Sequence, residues 1–301
     1  MILIIVLYAL LASTFVFAKK AIGYASPCFL IGFRSILSGF VLLSYHYFRS
    51  NRGLNIKRED WWLFFKTAVV HIYITYVFEF WALRYVTALK STLIFSATPF
   101  IAAILSYFLL KERLSKKQWG GITVGLSGLI PVIVAEAPSS EAAMELATVS
   151  LPEIVLFAAV TSGAYAWFLV KRLMAKGYSL SLINGSAMLI GGILAMLTAS
   201  LAEDLSNPVS EWLPFLGWLS LLIIVANVIF YNLYGFLLRR YTITHLTFAG
   251  FLCPGFGALY AWLFTGRDLT WHYGVSLLLV AAGLYIFTNQ KLFRGKQAQT
   301  K

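Results

Sequence analysis

Glu79 stands in TYVFEFWALRYV, residues 75–86, where the two residues on either side are all apolar or aromatic. An ionisable group inside an apolar run costs on the order of 3 kcal/mol on membrane-insertion scales, so it normally has a partner or a task. Asp60, Asp204 and Asp268 fall between the apolar runs and Glu153 at the edge of one, which leaves Glu79 as the one acid well inside. Two bases sit at comparable depth: Arg34 in GFRSILSGFVLL and Lys90 in ALKSTLIF. Three kinds of chemistry are open to this set. Glu79 and Arg34 can neutralise each other as a structural pair. Glu79 can hold a substrate ammonium or carry a proton while Arg34 or Lys90 receives a carboxylate. Glu79 can also snorkel to the interface and do nothing more.

Neutral polar groups extend the candidate site. His71, Thr75 and Glu79 are spaced by four, which places them on one helical face. Asn227, Tyr231 and Tyr234 share a face of a later run, where a buried asparagine can bind substrate or join helices by hydrogen bonds. Tyr76 is the repeat counterpart of Tyr231. Phe95, Tyr165 and Trp167, with Trp81 and Trp262, could line a cavity for a planar or cationic substrate; plain packing is the other reading for each. Cys28 and Cys253 have no metal-ligand spacing and read as packing residues. No cofactor or metal is expected.

The elements that must carry these residues are membrane spans. The chain has 301 residues, 60% hydrophobic and only 12% charged, about half the charge of a soluble protein. Ten apolar runs recur, near 2–18, 27–48, 61–83, 88–109, 117–134, 152–172, 178–201, 213–238, 243–264 and 270–289, each long enough to cross a core of about 30 Å. The first run has no basic residue ahead of it, so it reads as a span and not as a cleaved signal peptide. The net charge of +12 lies in short loops, a pattern of membrane insertion rather than of nucleic-acid binding.

A polar, acidic stretch, AEAPSSEAAMELATVS at 135–150, divides the spans into five and five. The two sides align without gaps: Tyr76 with Tyr231, Leu83 with Leu238, Arg84 with Arg239, Thr87 with Thr242, Pro99 with Pro254, Ala103 with Ala258, Leu114 with Leu269 and Gly128 with Gly283. The expected layout is a repeat at 1–134, a linker at 135–150, a second repeat at 151–290 and a basic tail at 291–301. Most Lys and Arg fall on one side if both termini are cytoplasmic; Lys19 and Lys20 locally oppose that orientation. Five spans per repeat turn the second copy upside down, the architecture of alternating-access transporters with a site near the midplane. Gly120, Gly121, Gly125 and Gly128 suggest close helix approach in the fifth span, and Pro99 and Pro254 suggest kinks or hinges.

The segment TPFIAAILSYFLLKERLSKKQWGGITVGLSGLI resembles the repeat of the drug/metabolite transporter superfamily, EamA-like branch. Thr98-Pro99, Leu110, Glu112-Arg113-Leu114, Gln118 and the four glycines carry the resemblance, and Arg34 stands at the arginine of the family's second helix. Arg267 stands where Glu112 would recur, so the acidic turn is not repeated. The resemblance implies an all-α polytopic protein of ten helices in two inverted five-helix repeats. It also implies a small-molecule substrate: an amino acid, a nucleotide-related metabolite such as S-adenosylmethionine, or another organic solute. Protons are the candidate coupling ion, the working unit is a monomer or a homodimer, and a bacterial inner membrane is the simplest location. The expected function is secondary transport of a small zwitterion by alternating access. The rival, a membrane-embedded enzyme acting on a lipid-linked substrate, would need aspartate clusters or paired carboxylates for a metal. A receptor or scaffold would have no need of inverted duplication.

Overall fold

Local capping signals start four of the helices. Ser115 and Gln118 form a capping box, with Gln118 N–H donating to Ser115 Oγ at 3.3 Å and Ser115 N–H to Gln118 Oε1 at 2.9 Å. Ser150 and Glu153 repeat the device ahead of Pro152. Ser179 and Thr242 accept from the N–H groups of Leu182 and His245, each at 3.2 Å. Lys111 ends its helix in the left-handed region, at φ 56°.

The computed structural model describes residues 2–49, 54–86, 91, 94–136, 149–265 and 271–288. Ten helices follow in order: α1 (Ile2–Ile22), α2 (Pro27–Arg49), α3 (Arg58–Ala82), α4 (Ile94–Leu110), α5 (Lys116–Ser127, resuming after Gly128 as Leu129–Glu136), α6 (Leu151–Ala175), α7 (Leu180–Ala202), α8 (Trp212–Leu237), α9 (Ile243–Tyr260) and α10 (Trp271–Thr288). Seven of them are by themselves long and apolar enough to cross a membrane. The other three are α4 and α10, whose described parts are shorter, and α5, which breaks at Gly128. Lys90, Arg267, most of the acidic linker and the basic tail lie outside the described residues. Leu201 and Leu213 are 89% and 86% exposed, a liability in water and ordinary against lipid. The protein is an integral membrane protein of multiple spans.

The helices gather in two compact units. One comprises residues 1–12, 88–149 and 241–301; the other comprises 13–87 and 150–240. Each therefore draws helices from both sequence halves. In the second unit α2 and α7 pack backbone to backbone. A Cβ on Gly39 would lie 2.6 Å from Leu189 N, and one on Gly32 would lie 2.8 Å from Met196 N. In the first unit α5 meets α10: a Cβ on Gly121 would lie 2.8 Å from Gly283 O, and one on Gly128 would lie 3.0 Å from Ser276 O. These two contacts exchange under the repeat alignment that pairs Gly128 with Gly283, as a two-fold relation between halves requires. Gly120 departs from the expected pattern. A Cβ there meets nothing within 4 Å among the described residues, so that face of α5 is open.

Candidate functional site

The candidate residues concentrate in the second unit, on α2, α3, α6 and α8. Two of these helices contain a π-helical turn, Val69–Ile74 in α3 and Ile223–Phe230 in α8, at matching positions of the repeat. A π turn widens the helix and frees backbone groups, which is why such turns recur at functional sites. In α3 the carbonyl of Val70 is satisfied from two directions, by Thr75 Oγ1 at 2.7 Å and by Ser162 Oγ of α6 at 2.8 Å. His71 lies within the first π turn and Asn227 within the second.

Two residues beyond the first π segment, the hydroxyl of Tyr76 meets the hydroxyl of Tyr231 at 2.6 Å. These two residues are each other's counterparts in the repeat. A residue in direct contact with its own symmetry mate must lie at the pseudo-two-fold axis, so the Tyr76–Tyr231 bond marks that axis within the second unit.

Aromatic rings close in around this bond. His71 contacts the rings of Trp167 at 4.7 Å and Tyr231 at 5.0 Å, and Trp167 stacks on Tyr234 at 3.9 Å. All four are buried, His71 at 3% exposure and Trp167 at 8%. Several polar atoms here have no hydrogen-bond partner: His71 Nε2, Tyr234 Oη and Asn227 Oδ1. Asn227 spends its amide on a weak acceptor, donating from Nδ2 to Met188 Sδ at 3.6 Å. Buried polar atoms are normally satisfied, and clusters of exceptions call for an explanation.

Arg34 enters from α2, is 4% exposed, and lays its guanidinium over the Tyr76 ring with Cζ 4.9 Å from the centroid. Its Nε and Nη2 have no hydrogen-bond partner. Glu79 is an electrostatic neighbour of Arg34, yet the two form no direct ion pair. The ion pairs among the described residues are Lys57–Glu59, Arg84–Glu203 and Lys176–Asp60. Similar depth in the membrane brought Glu79 and Arg34 near each other but did not bring their charged atoms into contact. Tyr165, on the same helix as Trp167, faces instead the ammonium of Lys66, 5.2 Å from its ring centroid. Phe95 is half-buried and belongs to the first unit.

Three features were not apparent from the sequence. Asn184 on α7 is fully buried, and neither its Oδ1 nor its Nδ2 has a partner. It stands in SLINGSAML, between Ser181 and Ser186 and without charge, so it did not stand out as Glu79 did. Glu203 follows α7 and accepts from Cys28 N–H at 2.8 Å and Phe29 N–H at 3.0 Å, so it caps the helix that carries Arg34. At the far end of the unit, Asp60 is held by Lys176 Nζ and by Tyr178 Oη at 2.7 Å. Burial and the hydrogen bond to Asp60 raise the Tyr178 pKa.

With this geometry established, comparison with known proteins assigns a class. The model of the EamA-like transporter family matches residues 1–134 and 150–289. An S-adenosylmethionine/S-adenosylhomocysteine transporter of Chlamydia muridarum is 33% identical over 262 residues, covering 85% of this chain and 81% of its own. A transporter of the same description from Chlamydia trachomatis serovar D is 32% identical over 260 residues, covering 85% and 79%. A probable amino-acid metabolite efflux pump of Salmonella typhimurium is 29% identical over 220 residues, covering 70% and 71%. A solved crystal structure, 19% identical, covers 96% of both chains with a TM-score of 0.75, which bears on the fold alone.

Proposed function

We propose that this chain, which belongs to the EamA-like transporter family, moves a small zwitterionic metabolite of the S-adenosylmethionine type by alternating access. Membership makes it a transporter and not an enzyme. The observation that carries the finer reading is the Tyr76–Tyr231 bond. It sets a polar, aromatic cluster at the pseudo-two-fold axis, and inverted-repeat transporters hold substrate at the midplane where their repeats meet. Support for the solute class comes from the transporters that share about a third of their residues with this chain. In this reading His71, Asn227 and Tyr234 offer the polar contacts left open in the cluster, and the faces of Trp167 and Tyr231 suit a planar or sulfonium-bearing solute. Glu79 binds the substrate ammonium or carries a coupling proton. Tyr165, on the same helix as Trp167, would line the edge of the site. The membrane is a cytoplasmic one, with both termini inside.

The test is transport by the purified protein in proteoliposomes. Radiolabelled S-adenosylmethionine should enter vesicles loaded with unlabelled S-adenosylhomocysteine faster than protein-free vesicles, and free amino acids should compete poorly. Uptake equal to that of empty vesicles would refute the proposal. Strong inhibition by amino acids, with slow uptake of the nucleoside, would favour the second reading, export of amino-acid metabolites, which the Salmonella relative's description supports.

A further inference from the structure

The two partnerless atoms of Arg34 are not an arbitrary pair. Nε–H and the adjacent Nη2–H point the same way and form the side-on edge of the guanidinium, the fork that matches the two oxygens of one carboxylate. Arg34 Cζ sits over the Tyr76 ring, 4.9 Å from its centroid. A carboxylate pairing with the Nε–Nη2 edge would lie in the guanidinium plane. Among the described residues no internal acid fills this edge: Glu79, the intramembrane carboxylate, makes no ion pair with it. An arginine 4% exposed, with two buried donors unspent, is a costly arrangement unless a ligand completes it.

We infer that the Nε–Nη2 edge of Arg34 binds the substrate's carboxylate side-on, so that the carboxylate is an obligatory recognition element. This rests on the transport reading above and narrows it. S-adenosylmethionine and S-adenosylhomocysteine carry the required α-carboxylate; free amino acids carry it too but lack the nucleoside, so they bind more weakly. Decarboxylated S-adenosylmethionine, which keeps the adenine, the sulfonium and the amine, does not fit the site. Polyamines and nucleosides are rejected for the same reason. Lysine cannot replace Arg34, because a point charge on a flexible stem does not reproduce the fork.

The experiment is competition binding to the full-length protein in lipid nanodiscs. Labelled S-adenosylmethionine is displaced by S-adenosylmethionine, S-adenosylhomocysteine and decarboxylated S-adenosylmethionine, and direct binding of methionine is compared with that of methioninamide. Wild-type protein should bind the carboxylates at least about 30-fold more tightly than their carboxylate-free partners, the cost of leaving a buried charge without its mate. Arg34→Lys should compress that ratio by weakening the carboxylates more than the amine or the amide. The ligand series is run on the wild-type protein, so it decides the question even where the variant fails to fold. Equal affinity for S-adenosylmethionine and its decarboxylated form would overturn the inference and leave the transport reading standing. Failure of every carboxylate ligand to bind would overturn both.

Discussion

Glu203 offers the sharpest energetic test of how the site is held. The start of α2 reads Ser26-Pro27, a local sequence that ordinarily supplies its own cap, with proline in the first turn. Ser26 occupies the cap position, its carbonyl accepting from Leu30 N–H at 2.9 Å, but its Oγ has no partner. The carboxylate of Glu203 does the capping instead, taking the N–H groups of Cys28 and Phe29 at 2.8 and 3.0 Å. Its side chain is 8% exposed, whereas that of Arg84, 3.6 Å away, is 48% exposed. Loss of a cap costs roughly 0.5–2 kcal/mol, and a favourable charge at a helix N-terminus adds about 0.3–1 kcal/mol. With two donors stranded, Glu203→Ala should therefore cost about 2–4 kcal/mol. Glu203→Gln keeps one good acceptor but no charge and should cost about half as much. Arg84→Ala removes a solvent-screened partner and should cost no more than about 1 kcal/mol. Unfolding of the three variants in one detergent, followed by helical circular dichroism, gives the ranking. Arg84→Ala as damaging as Glu203→Ala would show that the ion pair and not the cap carries the stabilisation, and the reasoning would be refuted.

Three further outcomes follow from other parts of the molecule. Gly39→Ala should destabilise by about 1–3 kcal/mol, because its Cβ would press on the backbone of α7. Gly120→Ala should be neutral, or stabilise by up to about 1 kcal/mol through helix propensity; melting temperatures of the two variants check the contrast, and equal losses would contradict it. The hydrogen bond to Asp60 holds Lys176 above the usual lysine value of 10.5. Its contribution is complete below that pH and fades as pH rises through the folded-state value, so Asp60→Asn should melt earlier at neutral pH and show a flatter alkaline decline; parallel curves for wild type and variant would remove Lys176 from the account. Glu79→Gln should abolish transport or uncouple it from pH, measured as proteoliposome uptake across a pH series. Unchanged rate and pH dependence would leave Glu79 a structural residue.

The span pattern was readable because hydropathy depends on composition alone, and a bilayer demands about twenty apolar residues wherever it is crossed. The capping boxes at Ser115 and Ser150 are complete within four residues, a local signal that refines the starts of spans placed by hydropathy at 117–134 and 152–172. The Glu203 cap was not readable, because the donors it satisfies lie about 175 residues away in sequence, and the nearer signal at Ser26 points to a different cap. The intramembrane charges illustrate a subtler gap. Counting residues gives depth along the membrane normal, and depth correctly made Glu79 and Arg34 neighbours. It says nothing of the angle around each helix axis, and α3 resets that angle within its π turn. Their charged atoms do not meet, although one is still placed in the field of the other.

The same alignment that exposed the repeat contains one statement about geometry that hydropathy could not. Tyr76 and Tyr231 are identical residues at equivalent positions, and they touch. Of all residue pairs related by the duplication, only those on the two-fold axis can do so. A rocking motion that exchanges the roles of two inverted repeats leaves their axis in place, so under the proposed function the tyrosine pair is where a substrate contact would persist in both states. Arg34 and Glu79 have no such symmetric partner, since the equivalent positions are Leu189 and Tyr234. The charged groups therefore break the symmetry that the tyrosines keep. In the proposed reading they would give the site a polarity along the substrate, with its carboxylate end at the guanidinium of Arg34, while the repeat would supply the axis about which it is presented to either side.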